Sequence, residues 1–187
     1  MNRMRKELED CPIIAAVKDD EGLEACLESE SGMIFVLYGD ICNIGQIVDK
    51  IKSSGKRAVV HMDLIQGLSG KEVAVDFLKK NTRADGIITT RPGMIRKAKA
   101  EGFFTVLRFF VIDSMAYENV QKQSAAAAPD VIEILPGLMP KVIRRIQKSV
   151  RCPVIAGGLI SEKEDIIGAL EAGAVAISTT NRRVWFM

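Results

Sequence analysis

Two charged residues interrupt the most apolar stretches of this chain: Arg108 lies inside FTVLRFF and Glu133 inside VIEIL. A charge within a buried strand must be paired or must face a ligand, because an isolated ion is too costly to remove from water. Side chains alternate along a strand, so Arg108 shares a face with Val106 and Phe110, and Glu133 with Val131 and Leu135. If both faces turn inward, the two charges can meet as a bidentate pair, either as a structural unit or with one of them turned to a ligand. His61, the only histidine, sits in the run RAVVHM, with Asp63 two positions on. A lone histidine beside an apolar run is either a satisfied core residue or, together with Asp63, part of a polar set facing a lumen.

A second kind of chemistry gathers near the C-terminus. The run PVIAGGLI (153–160) breaks at Gly157 and Gly158, and AVAIS (174–178) runs into Ser178, Thr179 and Thr180. Adjacent glycines let main-chain amides approach an anion with no side chain in the way, and hydroxyls add further donors. Taken alone, paired glycines are equally a tight turn between strand and helix. Lys18, Asp40 and Arg91 also fall just after apolar runs, where they either reach a shared mouth or stay solvated on its rim.

The elements that must position these residues alternate. Eight β-branched runs are expected as strands, at 13–17, 33–38, 57–62, 86–90, 104–110, 131–135, 153–157 and 174–178. Helical patterns lie between them at 20–29, 43–54, 69–80, 92–101, 114–125, 138–149 and 161–172. Ser69, Asp113 and Ser161 stand where N-caps belong, and Gly55, Gly102 and Gly173 where helices stop. Eight such units predict an α/β chain folded as a compact (β/α)8 TIM-type barrel, one domain over 1–187. After the last strand only TTNRRVWFM remains, so the final helix is a truncated stub, with Trp185 and Phe186 packed against neighbours. The opening MNRMRKELED is expected as a short helix over the barrel floor.

An internal repeat agrees with this architecture. CPIIAAVKDDEGLEACLESESGMIFV and CPVIAGGLISEKEDIIGALEAGAVAI align without a gap, matching Cys11 to Cys152, Pro12 to Pro153 and Gly32 to Gly173. Where the first copy has Ala16 and Val17, the second has Gly157 and Gly158. In this fold the loops after strands seven and eight often hold a phosphate. The glycine pair and the hydroxyl run occupy those two loops, which favours phosphate over a plain turn. The C-terminal stub would then start at the anion.

Composition narrows the classes. At 48% hydrophobic and 27% charged residues over 187, the chain has the balance of a soluble globular domain. Its longest apolar runs are far short of the roughly 20 residues of a membrane helix, and the charged N-terminus is unlike a signal peptide, so a cytoplasmic protein with no membrane contact is expected. Cys11, Cys26, Cys42 and Cys152 are scattered without CxxC spacing, which suggests reduced thiols and no metal. With neither GxGxxG nor a P-loop, no cofactor is expected.

The stretches HMDLIQGL (61–68), ITTRP (88–92), LRFFVIDS (107–114), IEILPG (132–137), VIAGGLI (154–160) and AVAISTTN (174–181) together resemble the glycerol-3-phosphate-responsive antiterminator family. The resemblance spans Cys11 to Trp185, and HxDLIxGL followed by IEILPG is its most specific part. It implies a barrel that binds glycerol 3-phosphate and then the leader of a nascent messenger RNA, so that transcription passes a terminator. Carried over by position, the ligand-binding residues are His61, Asp63, Arg91, Arg108, Glu133 and Gly137, and the phosphate-binding residues are Gly157, Gly158, Ser178, Thr179 and Thr180. LYGDICNIGQ is a looser match, which leaves Asp40 a doubtful contact.

RNA contacts are less legible. The chain carries seven Phe, two Tyr and one Trp, no RRM-type or KH-type signature and a net charge of only +2. Basic candidates are Lys141, Arg144, Arg145, Lys148 and Arg151 in and after 138–149, Arg96, Lys97 and Lys99 in 92–101, and Arg182 with Arg183 beside the phosphate loop. Each set is either an RNA contact or a solvated face. Two other classes stay open: a small TIM-barrel enzyme acting on a sugar phosphate, with Asp63, Glu133, His61 and Lys18 as acid, base or amine, and a sugar-phosphate binder without RNA. Oligomeric state is not readable from these residues.

Overall fold

In a computed structural model, which describes residues 3–187, eight parallel strands close on themselves in chain order. They are β1 (Ile13–Val17), β2 (Met33–Val36), β3 (Arg57–His61), β4 (Gly86–Thr89), β5 (Phe104–Phe110), β6 (Val131–Leu135), β7 (Val154–Gly157) and β8 (Ala176–Thr179). β8 pairs with β1, Ile14 lying opposite Ser178, so the sheet has no open edge. Helix α1 (Arg3–Asp10) precedes the barrel. The strands are linked by α2 (Asp20–Leu27), α3 (Ile44–Ser53), α4 (Val73–Asn81), α5 (Pro92–Ala100), α6 (Ser114–Ala127), α7 (Pro140–Ser149) and α8 (Lys163–Glu171). The (β/α)8 fold expected from the alternation is the fold observed. None of the helices among the described residues is long and apolar enough to cross a membrane.

The barrel interior is built in tiers. Inward residues such as Ile14, Phe35, Val59, Ile88, Val106, Val131, Ile155 and Ala176 form one buried cluster with Met4 and Leu8 of α1. Met4 and Leu8 are one helical turn apart, so α1 lays one face across the floor, as expected. Arg57 at the start of β3 holds it there, donating to both carboxylate oxygens of Glu7 at 3.0 and 2.9 Å. Two residues further along each strand, alternation places a polar tier above the apolar one: His61 follows Val59, Arg108 follows Val106, Glu133 follows Val131, and Ser178 follows Ala176.

Several boundaries differ from expectation, each for a local reason. α4 starts at Val73 rather than at 69, with Glu72 at its N-cap position, because residues 65–72 form a loop over the barrel mouth. In that loop a Cβ on Gly70 would lie 1.8 Å from the Arg91 guanidinium, so any larger residue there would have to displace the end of this side chain. α8 is capped by Glu162 rather than Ser161, through a reciprocal box in which Glu162 and Asp165 bond each other's main chains. Asp113 is the N-cap of α6, accepting from Ala116 N at 2.7 Å. β8 begins two residues late because Ala174 N still bonds Ala169 O at the end of α8.

The C-terminal stub is a single 3-10 turn, Val184–Phe186, and it starts too far past Thr180 to present a helix end to an anion. Trp185 is buried and its indole N–H donates to Thr179 O at 2.8 Å, whereas Phe186 is exposed rather than packed. All four cysteines are unpaired.

Candidate functional site

Arg108 and Glu133 meet at the C-terminal end of the barrel, their strands being in register at this pair. The contact is a single one, Nε of Arg108 to Oε2 of Glu133 at 2.6 Å, not the expected bidentate fork. The fork fails because the other carboxylate oxygen is already engaged: Oε1 accepts from the Ser178 hydroxyl. Glu133 is fully buried and Arg108 nearly so. The two terminal guanidinium nitrogens of Arg108 have no acceptor among the described residues, and Arg108 lines a cavity of about 320 Å³ at the barrel mouth. A buried cation thus turns its unspent donors toward an open space.

The far wall of that cavity is the β7–α8 turn and the end of β8, lined by Gly158, Leu159, Thr180 and Asn181 among others. Gly157 and Gly158 serve different ends. A Cβ on Gly157 would lie 2.5 Å from Oε1 of Glu133 and 2.6 Å from the Ser178 hydroxyl, so this glycine makes room for their hydrogen bond. Gly158 has φ 76° and Leu159 φ 63°, two successive residues in the left-handed region. For leucine this conformation is strained, and the side chain is thrown outward, 72% exposed. Among the described residues, no acceptor is found for the amides of Leu159 and Thr180.

The hydroxyls of Ser178, Thr179 and Thr180, expected as phosphate donors, do not converge. That of Ser178 turns inward to Glu133, and that of Thr179 donates to Ile160 O at 2.7 Å while accepting from Asn181 N at 3.1 Å. Thr180 alone is exposed. Gly137 docks the β6–α7 loop onto this turn, its amide donating to Gly158 O at 3.1 Å.

His61 faces inward and is 3% exposed, with its Nδ1 buried and unpartnered. Burial, reinforced by the nearby Arg108 charge and only partly offset by Asp63, pushes its pKa down from 6.5 to about 4. The folded imidazole therefore stays neutral while the unfolded chain takes up a proton below about pH 6.5, so stability falls as pH drops through that window. Between pH 7 and 4.5 this group alone is expected to remove about 2–3 kcal/mol. Urea midpoints at the two pH values check it: the drop should shrink in His61→Asn, and an equal drop in both proteins would assign it elsewhere.

Asp63 does not join His61 in the lumen. It follows β3 in a 3-10 turn (Met62–Leu64) and turns sideways to the end of β4, accepting from Thr89 Oγ1 at 3.0 Å and Thr90 N at 2.7 Å. Arg91 lies 3.6 Å from the same carboxylate and is half-exposed on the rim. Asp40 is likewise committed, accepting from Cys42 N at 2.7 Å just before α3, and Lys18 is exposed.

Of the basic residues beside the mouth, Arg182 is held in ion pairs with Asp19 at 3.2 Å and Glu21 at 2.6 Å, and Arg183 is exposed. Lys97 is held between Asp76 and Glu101, both at 2.7 Å, and Lys99 donates to Ala128 O at 2.6 Å. Lys141, Arg144, Arg145 and Lys148 lie exposed along α7, with Arg151 just beyond it. Several wall residues were not among the expected contacts, Ala16, Leu37, Leu135, Leu159, Ile160 and Asn181 among them. Ala16 aligns with Gly157 in the repeat, and Asn181 ends the stretch AVAISTTN.

Comparison with known proteins gives the family. A protein of Escherichia coli K12 named YgcP and described as uncharacterized is 52% identical over 174 residues, covering 93% of this chain and 91% of its own. A crystal structure of the glycerol uptake operon antiterminator regulatory protein of Listeria monocytogenes superposes with a TM-score of 0.91 at 34% identity, over 94% of this chain and 95% of that one. A glycerol uptake operon antiterminator-related protein of Thermotoga maritima gives 0.81 at 39% identity, over 94% and 98%. Residues 13–185 match the family of glycerol-3-phosphate responsive antiterminators, and the chain belongs to that family.

Proposed function

We propose that this chain binds glycerol 3-phosphate in the barrel mouth and, in that state, binds the leader of a nascent messenger RNA so that transcription passes a terminator. The observation that carries the ligand half is the cavity of about 320 Å³ in which the open donors of Arg108 face the Gly158–Leu159 turn and Thr180. The phosphate takes the amides of that turn and the Thr180 hydroxyl, with Arg108 supplying charge. The glycerol hydroxyls are donors and acceptors at once, and they suit the Arg108–Glu133 pair on the cavity wall.

A regulator rather than an enzyme is the reading favoured by how the carboxylates are spent. Glu133 is held by Arg108 and Ser178, and Asp63 by Thr89 and Thr90, so neither is free to act as a base. Lys18 is solvent-exposed, unlike the desolvated lysine of a Schiff-base enzyme.

Calorimetry with glycerol 3-phosphate, glycerol and inorganic phosphate tests the ligand half, on wild type and Thr180→Asp. Thr180 is exposed and makes no side-chain hydrogen bond within the cavity wall, so the substitution adds charge without unfolding the loop. Only the intact ester should bind tightly, and the new carboxylate should weaken it roughly hundredfold, about 3 kcal/mol of like-charge repulsion. Equal affinity in the variant would place the phosphate elsewhere.

A further inference from the structure

Resting on the RNA-binding reading above, we infer that the leader RNA docks as a single strand along α7 and into the groove between α6 and α7, rather than on Arg182 and Arg183 beside the mouth. Pairing removes most of the other candidates, and Arg96 and Arg183, exposed but each the lone free cation of its set, form no track. Arg182 is spent on Asp19 and Glu21, Lys97 on Asp76 and Glu101, and Lys99 on a carbonyl. Helix α7, PKVIRRIQKS, carries Lys141, Arg144, Arg145 and Lys148 with no acidic residue, and among the described residues none of the four is ion-paired. Cations at three- and four-residue spacing with no counter-charge form the sort of track that phosphates occupy with release of bound salt.

A place for bases adjoins the track. A groove of about 480 Å³ separates the starts of α6 and α7, walled by Val111, Ile112, Tyr117, Met139, Val142 and Arg145. Arg145 lies over the Tyr117 ring at 5.1 Å, a stacked pair that offers planar faces to an unpaired base. Ile112 on its wall is 81% exposed, more apolar surface than a loop tip needs when nothing covers it. Asp113 and Glu118 also border the groove; the Asp113 carboxylate is spent on Ala116 N. At the other end of α7 a cleft of about 580 Å³ is lined by Arg151, with Lys99 and Asp130 also on its wall.

The same groove is wired to the ligand cavity. Its walls continue the two strands that carry Arg108 and Glu133, joined past them by Val111 N to Leu135 O at 2.8 Å. The loop leading into α7 bonds the phosphate turn through Gly137 and Gly158. A ligand that fixes this turn and draws on Arg108 biases the groove toward one of two arrangements, and RNA that prefers that arrangement binds more tightly with ligand present.

The test is anisotropy with a fluorescein-labelled transcript of a glycerol uptake operon leader, on the full chain, with and without glycerol 3-phosphate. Arg144→Ala with Lys148→Ala should weaken binding about tenfold and lower the salt slope by about 1.4. Tyr117→Leu, which keeps apolar bulk, should weaken it roughly tenfold through lost stacking. Arg96→Ala with Arg183→Ala, exposed cations elsewhere, should bind as wild type, and calorimetry should show ligand affinity intact throughout. Wild-type affinity in both the α7 and Tyr117 variants would overturn the groove while leaving the antitermination reading in place. Wild type that binds no RNA, or binds it equally without ligand, would overturn that reading and the groove with it. Competition by polyglutamate as strong as by unlabelled leader would overturn RNA as the occupant in favour of an acidic protein.

Discussion

Replacing Glu133 by alanine is expected to cost about 3–5 kcal/mol, the loss typical of breaking a buried ion pair from one side. The reason is what it leaves behind: the buried Arg108 loses its one carboxylate partner, and the Ser178 hydroxyl loses its acceptor in the same stroke. Urea denaturation measures the effect, with the double variant Arg108→Met, Glu133→Ala as the decisive companion. Removing the cation as well should recover much of the stability, because most of the single-variant cost is an orphaned charge rather than a lost attraction. A cost below about 1 kcal/mol for Glu133→Ala would mean that water in the mouth already solvates Arg108, and the pair would not organise the site.

The second large effect is expected at Gly157. Its added methyl in Gly157→Ala would sit 2.5 Å from Glu133 Oε1 and 2.6 Å from Ser178 Oγ, so their hydrogen-bonded contact must shift to admit it. Overpacking of this kind costs about 1–3 kcal/mol. Since relief must come by turning the Glu133 carboxylate, the displacement should pass to Arg108 and weaken glycerol 3-phosphate as well. Gly158→Ala is the contrasting case. There the penalty is the backbone, φ 76° with a methyl, about 1–2 kcal/mol, and the nearest contact is only the side chain of Leu135 at 3.2 Å. Melting curves and ligand titrations on both variants separate crowding from backbone strain. Equal stability in Gly157→Ala and wild type would show that the Glu133–Ser178 contact yields freely.

What the chain declared in advance follows from how far each determinant reaches. Strands were legible because barrel strands are covered on both faces, so their β-branched runs stand out residue by residue; alternation gave the residues that share a face with Arg108 and Glu133, and the closed barrel turns those faces inward. Beyond the Arg108–Glu133 pair, side-chain partners were not legible, because they are set by residues distant in sequence. Asp63 has the same spacing whether it faces the lumen or Thr90, 27 residues on, and only the packed β4 end decides. The hydroxyls of Ser178 and Thr179 look alike in a row, yet Glu133 draws one inward and the Ile160 carbonyl holds the other. Arg182 reads as a free cation until Glu21, 161 positions away, closes on it.

The chain has a single tryptophan, and its indole is fastened to the Thr179 carbonyl at the tip of β8. That makes Trp185 a native optical reporter: its emission comes from one fluorophore, one residue away from the loop that would seat the ester. Occupancy can then be followed in the unlabelled protein, on the timescale of rapid mixing.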